Sequence, residues 1–259
     1  MVNFIYKRAI FRVREMAFIS IGSVLKEKCD VIYLHSEDKE IPVDYKPEYA
    51  QYQYTYVNDL SESEDFLFSN VKKNCKYEIR RAEKEGAIFV IYHSRDKEID
   101  RDILNKFEMT YNNMFRAKGI PLSFNRSLIN KAMENGQLVV SVCYSNDDLD
   151  NKVYHAYLVD ETNAILIYST SSIWELNNKE DINRIGRFNK FLHWQDMKWF
   201  MKRNYLRYEW GGIANPQEPN GIDKFKGEFG GEICAFYNYL VSASVLGKLY
   251  IYLVKRRAK

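Results

Sequence analysis

The run FKGEFGGE (225–232) sets one lysine, Lys226, among two phenylalanines, two acids and three glycines. Glycines loosen the backbone and the rings anchor it, so an ammonium can be held over a cleft without full burial. A charge so placed stabilises the oxyanion of an acyl-transfer intermediate, or the terminal phosphate or ribose of a donor. The plainer alternative is a hairpin carrying a solvated lysine. Upstream, YEWGGI (208–213) closes a strand-like run with Gly211 and Gly212, where missing side chains let a substrate lie against the main chain, and Glu209 adds a carboxylate.

Lys72, Lys76, Arg80 and Lys84 recur at helical spacing, with Arg81 beside them. Such a stripe suits phosphates; it also suits a solvated face balanced by Glu78, Glu83 and Glu85. In IGRFNKFLHW (185–194), Gly186 and Arg187 stand where a helix is expected to open, and free N–H groups there attract a pyrophosphate. His193 follows in that helix and His155 falls mid-strand; an isolated histidine at either place serves structure more often than base catalysis. Tyr168 and Ser169 lie on a strand expected to line a cleft. A thioester or aminoacyl ester is already activated, so acyl transfer to an amine needs positioning and oxyanion stabilisation rather than a Ser-His-Asp triad.

These residues must be positioned by a recognisable series of elements. Ser61 and Glu64 read as a capping box opening a helix that Gly86 stops, with Val71, Cys75, Ile79 and Ala82 on its apolar face. AIFVIYH (87–93) reads as a strand. From Asp102 the order becomes α-α-β-β-β-α-β. A helix buries Leu104, Phe107, Tyr111, Met114 and Phe115, and a second runs through Leu128 to Met133. Strands at 137–144, 152–160 and 164–171 follow, then a helix over 187–203 and a strand at 205–210. Before residue 60 the chain reads as strands and loops, with turns near Pro42 and Pro47. The apolar segment from Ile233, interrupted by Asn238, Gly247 and Lys248 and ending in Lys255, Arg256, Arg257 and Lys259, reads as a helix closing the core, with a membrane-surface helix as the other reading.

At 259 residues, 46% hydrophobic and 28% charged, the chain is globular. A net charge of +3 gives no global nucleic-acid footprint, so an anionic partner must be met locally. Cys29, Cys75, Cys143 and Cys234 are scattered, without CxxC, which indicates neither a zinc site nor a disulfide framework and fits a reducing cytoplasm.

The element order is that of the GNAT acetyltransferase fold, whose sheet splays between its fourth and fifth strands to make an acyl-donor cleft. Three segments, NCKYEIRRAEKEG (74–86), LHWQDMKWFMKRNYLRYEWGGI (192–213) and FKGEFGGE (225–232), together resemble the Fem family (FemXAB type) of peptidoglycan bridge-forming aminoacyltransferases and their relatives in cell-surface polysaccharide loci. The resemblance implies an α+β fold, a GNAT-like, mixed and mostly antiparallel sheet flanked by helices. It also implies two GNAT-like units: a reduced first one at 1–95, completed by 235–259, and an acyltransferase domain at 96–234. The implied activity moves an acyl or aminoacyl group onto an amine of a cell-envelope sugar or peptidoglycan precursor. Lys226 would be catalytic. Lys76, Arg80, Arg81, Tyr168, Glu209, Gly211 and Gly212 would bind substrate, the basic stripe holding acceptor or donor phosphates, and Gly186, Arg187 and His193 would bind the donor. No permanent cofactor or metal is implied; acyl-CoA or aminoacyl-tRNA is the co-substrate. The implied partners are a nucleotide-sugar or lipid-linked envelope precursor, tRNA, and peripheral contact with the inner membrane face of a cytoplasmic protein. Two features depart from the family. Glu209 stands where members usually carry Asp, and no heptad arm for gripping tRNA is present. A catalytically degenerate binding or scaffold protein at the membrane surface is the alternative.

Overall fold

The structure, a computed structural model, describes residues 1–18, 28–37, 47–96 and 99–257. The turn at Pro42 and the terminal Lys259 lie outside them. Among the described residues ten strands form one sheet: β1 (Val2–Arg8), β2 (Phe11–Ala17), β3 (Val31–Ser36), β4 (Tyr49–Asp59), β5 (Ala87–His93), β6 (Leu138–Ser145), β7 (Asp148–Val159), β8 (Asn163–Ser171), β9 (Arg207–Ile213) and β10 (Glu232–Ser242). The spatial order is β1-β2-β3-β10-β4-β9-β8-β7-β6-β5, antiparallel except at β2/β3 and β8/β9.

Among the described residues seven α-helices flank the sheet: α1 (Glu64–Asn70), α2 (Lys73–Lys84), α3 (Arg101–Ala117), α4 (Arg126–Glu134), α5 (Lys179–Lys202), α6 (Gly221–Lys226) and α7 (Val245–Arg257). One face of the sheet is covered by α3, α4 and α7, whose Leu104, Phe107, Ile129 and Ile251 meet Val140 and Leu158 in a continuous core. On the other face α1, α2 and α5 bury Leu67, Cys75, Ile79, Phe188 and Leu192 against Val139, Tyr157 and Trp210. Burial of apolar area drives both layers, at roughly 1.5–3 kcal/mol per large side chain. The N-terminal half of the sheet keeps five strands, β1 to β4 and β10. Among the described residues α7 packs on β2, β3 and β10 of that half, and α4 packs on β1. β5 lies at the far edge, paired with β6.

The parallel β8/β9 pair holds for only three rungs, Asn163↔Arg207, Ala164↔Tyr208 and Ile165↔Glu209, before the strands diverge. Two bulges drive the divergence. Ile167 is extra against β7, where Ala156 faces Tyr168 and Tyr157 faces Leu166. Trp210 and Gly211 together oppose Tyr56 alone, between Thr55↔Gly212 and Val57↔Glu209. Each bulge bends its strand. Counting from β5, the split falls between the fourth and fifth strands, as a GNAT-like sheet requires.

Four local expectations are corrected. The capping residue of α1 is Ser63, which accepts from Phe66 N (3.2 Å), whereas Ser61 turns its hydroxyl to Asp59 (2.6 Å). The expected single helix breaks into α1 and α2 because Val71 and Lys72 are extended, and Lys72 N donates instead to Glu228 O (2.8 Å). The apolar run from Ile233 begins as a strand, not a helix: β10 is sandwiched between β3 and β4, and a strand with two neighbours and apolar faces shows no periodicity that separates it from a buried helix. Lys226 ends α6 rather than riding a mobile loop, because Asn220 and Asp223 form a capping box that starts a helix.

Candidate functional site

A cleft of about 570 Å³ opens where β8 and β9 part. Leu166 to Ser171 form one wall, Trp210, Gly211 and Gly212 the other, α3 supplies Tyr111 and Phe115 with Lys118 capping its end, and α5 supplies Asn189 and His193. Its charged lining residues are Lys118 and Lys226; no acid is among them. The surface is therefore apolar and cationic, suited to an anionic ligand with an apolar or ring portion. Gly211 fixes its floor. Its φ of +67° lies in the left-handed region, and a Cβ there would fall 2.7 Å from Leu166 O. Gly211→Ala is expected to lower stability by about 1–3 kcal/mol, from backbone strain and that collision, in urea denaturation.

Lys226 reaches the cleft from the end of α6. Its Nζ donates to the carbonyls of Gly212 (2.8 Å) and Gly211 (3.3 Å), and Gly211 O also accepts from Thr55 Oγ1 (2.9 Å). Burial pushes the ammonium down from 10.5 to about 8, with Asp223 and Glu209 pulling the other way. The helix carrying it is pinned at both ends. Buried Asp223 accepts from Ala214 N (3.1 Å) and Asn220 N (3.2 Å), folding 214–220 back under α6. Beyond it, Phe229 is buried beside Trp210, with ring centroids 4.7 Å apart. Gly230 makes the turn at φ +74°, with Asn70 O 2.6 Å from any Cβ placed there. Lys190 on α5 bridges Glu78 of α2 and Glu228, tying the segment to two helices.

Behind the cleft runs a buried polar chain. Asp196 Oδ2 accepts from Tyr157 OH (2.6 Å) and lies 2.8 Å from His155 Nδ1; Tyr157 OH meets Tyr208 OH (2.8 Å), which meets His193 Nδ1 (2.7 Å). Tyr157 has one hydrogen and gives it to Asp196, so Tyr208 donates to Tyr157 and His193 Nδ1–H donates to Tyr208. That order leaves the lone pair of His193 on Nε2. Burial, then the nearby His155 and Lys226, hold the His193 pKa well below 6.5, so the ring is neutral at pH 7 and a weak base. His155, His193 and Asp196 approach closely enough to suggest a metal site. The two imidazoles, however, stack face to face at 3.9 Å, so their lone pairs run in near-parallel planes and do not converge. Hydrogen bonds already occupy Nδ1 of each ring.

Of the residues singled out in the sequence, Lys226, Gly211, Gly212, Tyr168, Ser169 and His193 line this cleft together. Tyr168 OH accepts from Asn125 N (3.2 Å), and its ring packs on Tyr111 and Phe124. The others do not join them. Glu209 is buried away from the cleft, 2.9 Å from His35 Nε2 and 3.5 Å from Arg207. Gly186 lies two turns inside α5, which starts at Lys179, because Asn178 caps it through Glu180 N (2.9 Å). Its amide is thus not part of a free helix N-terminus. Arg187 is spent on Glu85, with two contacts of 2.8 Å. Lys76 donates to Ser69 O (2.7 Å) and, with Arg80, covers the Phe68 ring; Arg81 pairs with Glu85 (2.8 Å). Arg80 and Arg81 border a separate shallow hollow with Tyr77 and Lys84. The cleft also recruits Lys118, whose ammonium sits 5.0 Å from Trp174 and 5.4 Å from Phe115, and Asn189, 2.8 Å from His155 Nε2. Neither had a local motif; only the i, i+4 spacing of Asn189 and His193 on one helix face marked them as neighbours.

No protein-family model and no curated protein matches this sequence. Solved structures do. FemX is 12% identical, with a TM-score of 0.55 over 90% of this chain and 82% of that one. L-PGS from Bacillus licheniformis is 13% identical, with a TM-score of 0.55 over 99% of this chain and 86% of that one. A conserved protein of unknown function from Bacteroides thetaiotaomicron is 10% identical, with a TM-score of 0.50 over 93% and 82%. At such identities the likeness speaks for architecture alone. The chain therefore has the FemX-like, GNAT-type fold that its three motifs implied.

Proposed function

We propose that this chain is an acyltransferase that moves an acyl or aminoacyl group onto an amine of a cell-envelope sugar or peptidoglycan precursor, with acyl-CoA or an aminoacyl-tRNA as donor. The observation that carries the reading is Lys226 held on the Gly211 and Gly212 carbonyls at the mouth of an acid-free cleft between β8 and β9. A donor carbonyl lodged there meets the ammonium as negative charge develops on its oxygen. The neutral acceptor amine attacks and the C–N bond forms as the donor's C–S or C–O bond breaks; the amine's proton passes through water to the departing thiolate or ribose oxygen, His193 being too weak a base to hold it. Tyr168 and the backbone of Gly211 and Gly212 orient the reactants. FemX and L-PGS, which share the fold, support an envelope substrate and an aminoacyl donor. The basic stripe Lys76, Arg80 and Arg81, outside the cleft, is suited to phosphates of tRNA or of a lipid-linked precursor.

One observation favours a second reading, a binding or scaffold protein without turnover: Glu209, the carboxylate at the strand end, is committed to His35 and Arg207. A donor screen separates the two. Coenzyme A, charged tRNA and UDP-sugars are each tested for thermal stabilisation, where a ligand at 100 times its Kd adds about 2.7 kcal/mol. The stabilising donor is then offered with amine acceptors. Stabilisation followed by a transferred acyl group supports the enzyme; stabilisation with no product for any acceptor supports the scaffold.

A further inference from the structure

Helix α7 meets the sheet through Gly247, Tyr250 and Ile251, which are buried. Its opposite side exposes Val245, Leu246, Leu249, Tyr252 and Leu253, a continuous stripe at i, i+1, i+4, i+7 and i+8. Val245 is 83% exposed. Large apolar side chains scattered singly need no explanation, but five in one stripe on a folded surface mark an interaction site. Lys248, Lys255 and Arg256 are exposed beside the stripe, and 245–257 contains no acid. The β1–β2 turn packs against the sheet-facing side of the same helix. Phe11 packs on Tyr250 with ring centroids 5.1 Å apart, Arg8 Nη1 donates to Tyr250 OH (3.1 Å), and the turn between them carries Ile10, 71% exposed.

We infer that this face docks on an anionic lipid surface, with α7 lying in the interface plane, its leucines at the acyl boundary and its cations at phosphate depth. Charge selects the occupant. A second copy of the chain, seated by the same face, would bring Lys248, Lys255 and Arg256 against their equivalents, and a neutral apolar partner would leave them unused. A lipid surface uses both the stripe and the cations. No described helix is long and apolar enough to cross a membrane, so α7 rests on the surface. The inference stands apart from acyl transfer and is tested without any substrate. The two readings do share a face of the sheet, since α7 lies on the side whose α3 walls the cleft.

The test is co-sedimentation of the full chain with phosphatidylcholine vesicles and with mixed phosphatidylcholine–phosphatidylglycerol vesicles, at low and high salt. Binding to the mixed vesicles alone, weakened by salt, is expected, since each basic residue near an anionic leaflet raises partitioning about fivefold. Lys248→Glu/Lys255→Glu and Leu249→Glu/Leu253→Glu should each lower partitioning by at least about tenfold. All four positions are exposed, and an unchanged melting temperature verifies folding. The salt dependence of the unaltered chain gives a readout that needs no variant. Equal binding to both vesicle types, binding insensitive to both pairs, or a concentration-dependent dimer abolished by Leu249→Glu would overturn the inference.

Discussion

Lys226→Ala is expected to lower turnover by about two to three orders of magnitude, the usual loss when one oxyanion donor is removed. Unchanged turnover on a proven substrate would remove the catalytic assignment. The effect should carry a pH signature. Lys226 is displaced to about 8, so kcat/KM should fall as pH rises through that value and the stabilising charge is lost. Lys226→Arg, which stays charged, should lose that descending limb while keeping part of the activity. Stability should move the opposite way. Below pH 8 both folded and unfolded chains hold the proton and the burial penalty is complete. Between about 8 and 10.5 the folded protein has released the proton that the unfolded chain still binds, so stability climbs with pH. Lys226→Met should flatten that climb in denaturation experiments and raise stability near pH 7 by on the order of 1–3 kcal/mol, a site residue held at a cost to the fold.

Asp196→Ala is expected to destabilise the protein by about 3–5 kcal/mol, because it strands buried donors on Tyr157 and His155 and leaves a cavity between α5 and β7. Asp196→Asn retains an acceptor and should cost about 1–3 kcal/mol. Urea unfolding midpoints at constant m-value distinguish the two. Equal, small losses for both variants would show that the Tyr208–Tyr157–Asp196 chain does not set the geometry of His193.

Much of the fold was legible because its signals are local. The helix at 101–117 and strands β6 to β9 follow from hydrophobic period and turn chemistry, and the motif carrying Lys226 pointed to the cleft that it lines. What failed to be legible depends on partners distant in sequence. Glu209 reads as a strand-end carboxylate, yet its orientation is decided by His35, 174 residues away. Arg187 reads as an anion binder, yet Glu85, brought alongside by α2 packing on α5, has claimed it. The start of α5 slipped because Asn178 and the acids Glu180 and Asp181 make a polar first turn with no apolar period to announce it. Asp196 carried no sequence signal at all: an aspartate among aromatic residues on a helix looks like its solvated side until the sheet covers it.

The position of β10 imposes an order on biosynthesis. It fills the gap between β3 and β4, and the Tyr237↔Ser36 and Tyr237↔Tyr52 rungs join residues made roughly two hundred codons apart. Until residue 242 clears the ribosome, the nascent chain holds two unzipped strand edges, and holdase chaperones or premature self-association compete for them. Closing the sheet thus waits on the synthesis of β10, and a transcript cut short before that strand yields a chain that cannot seal its own middle.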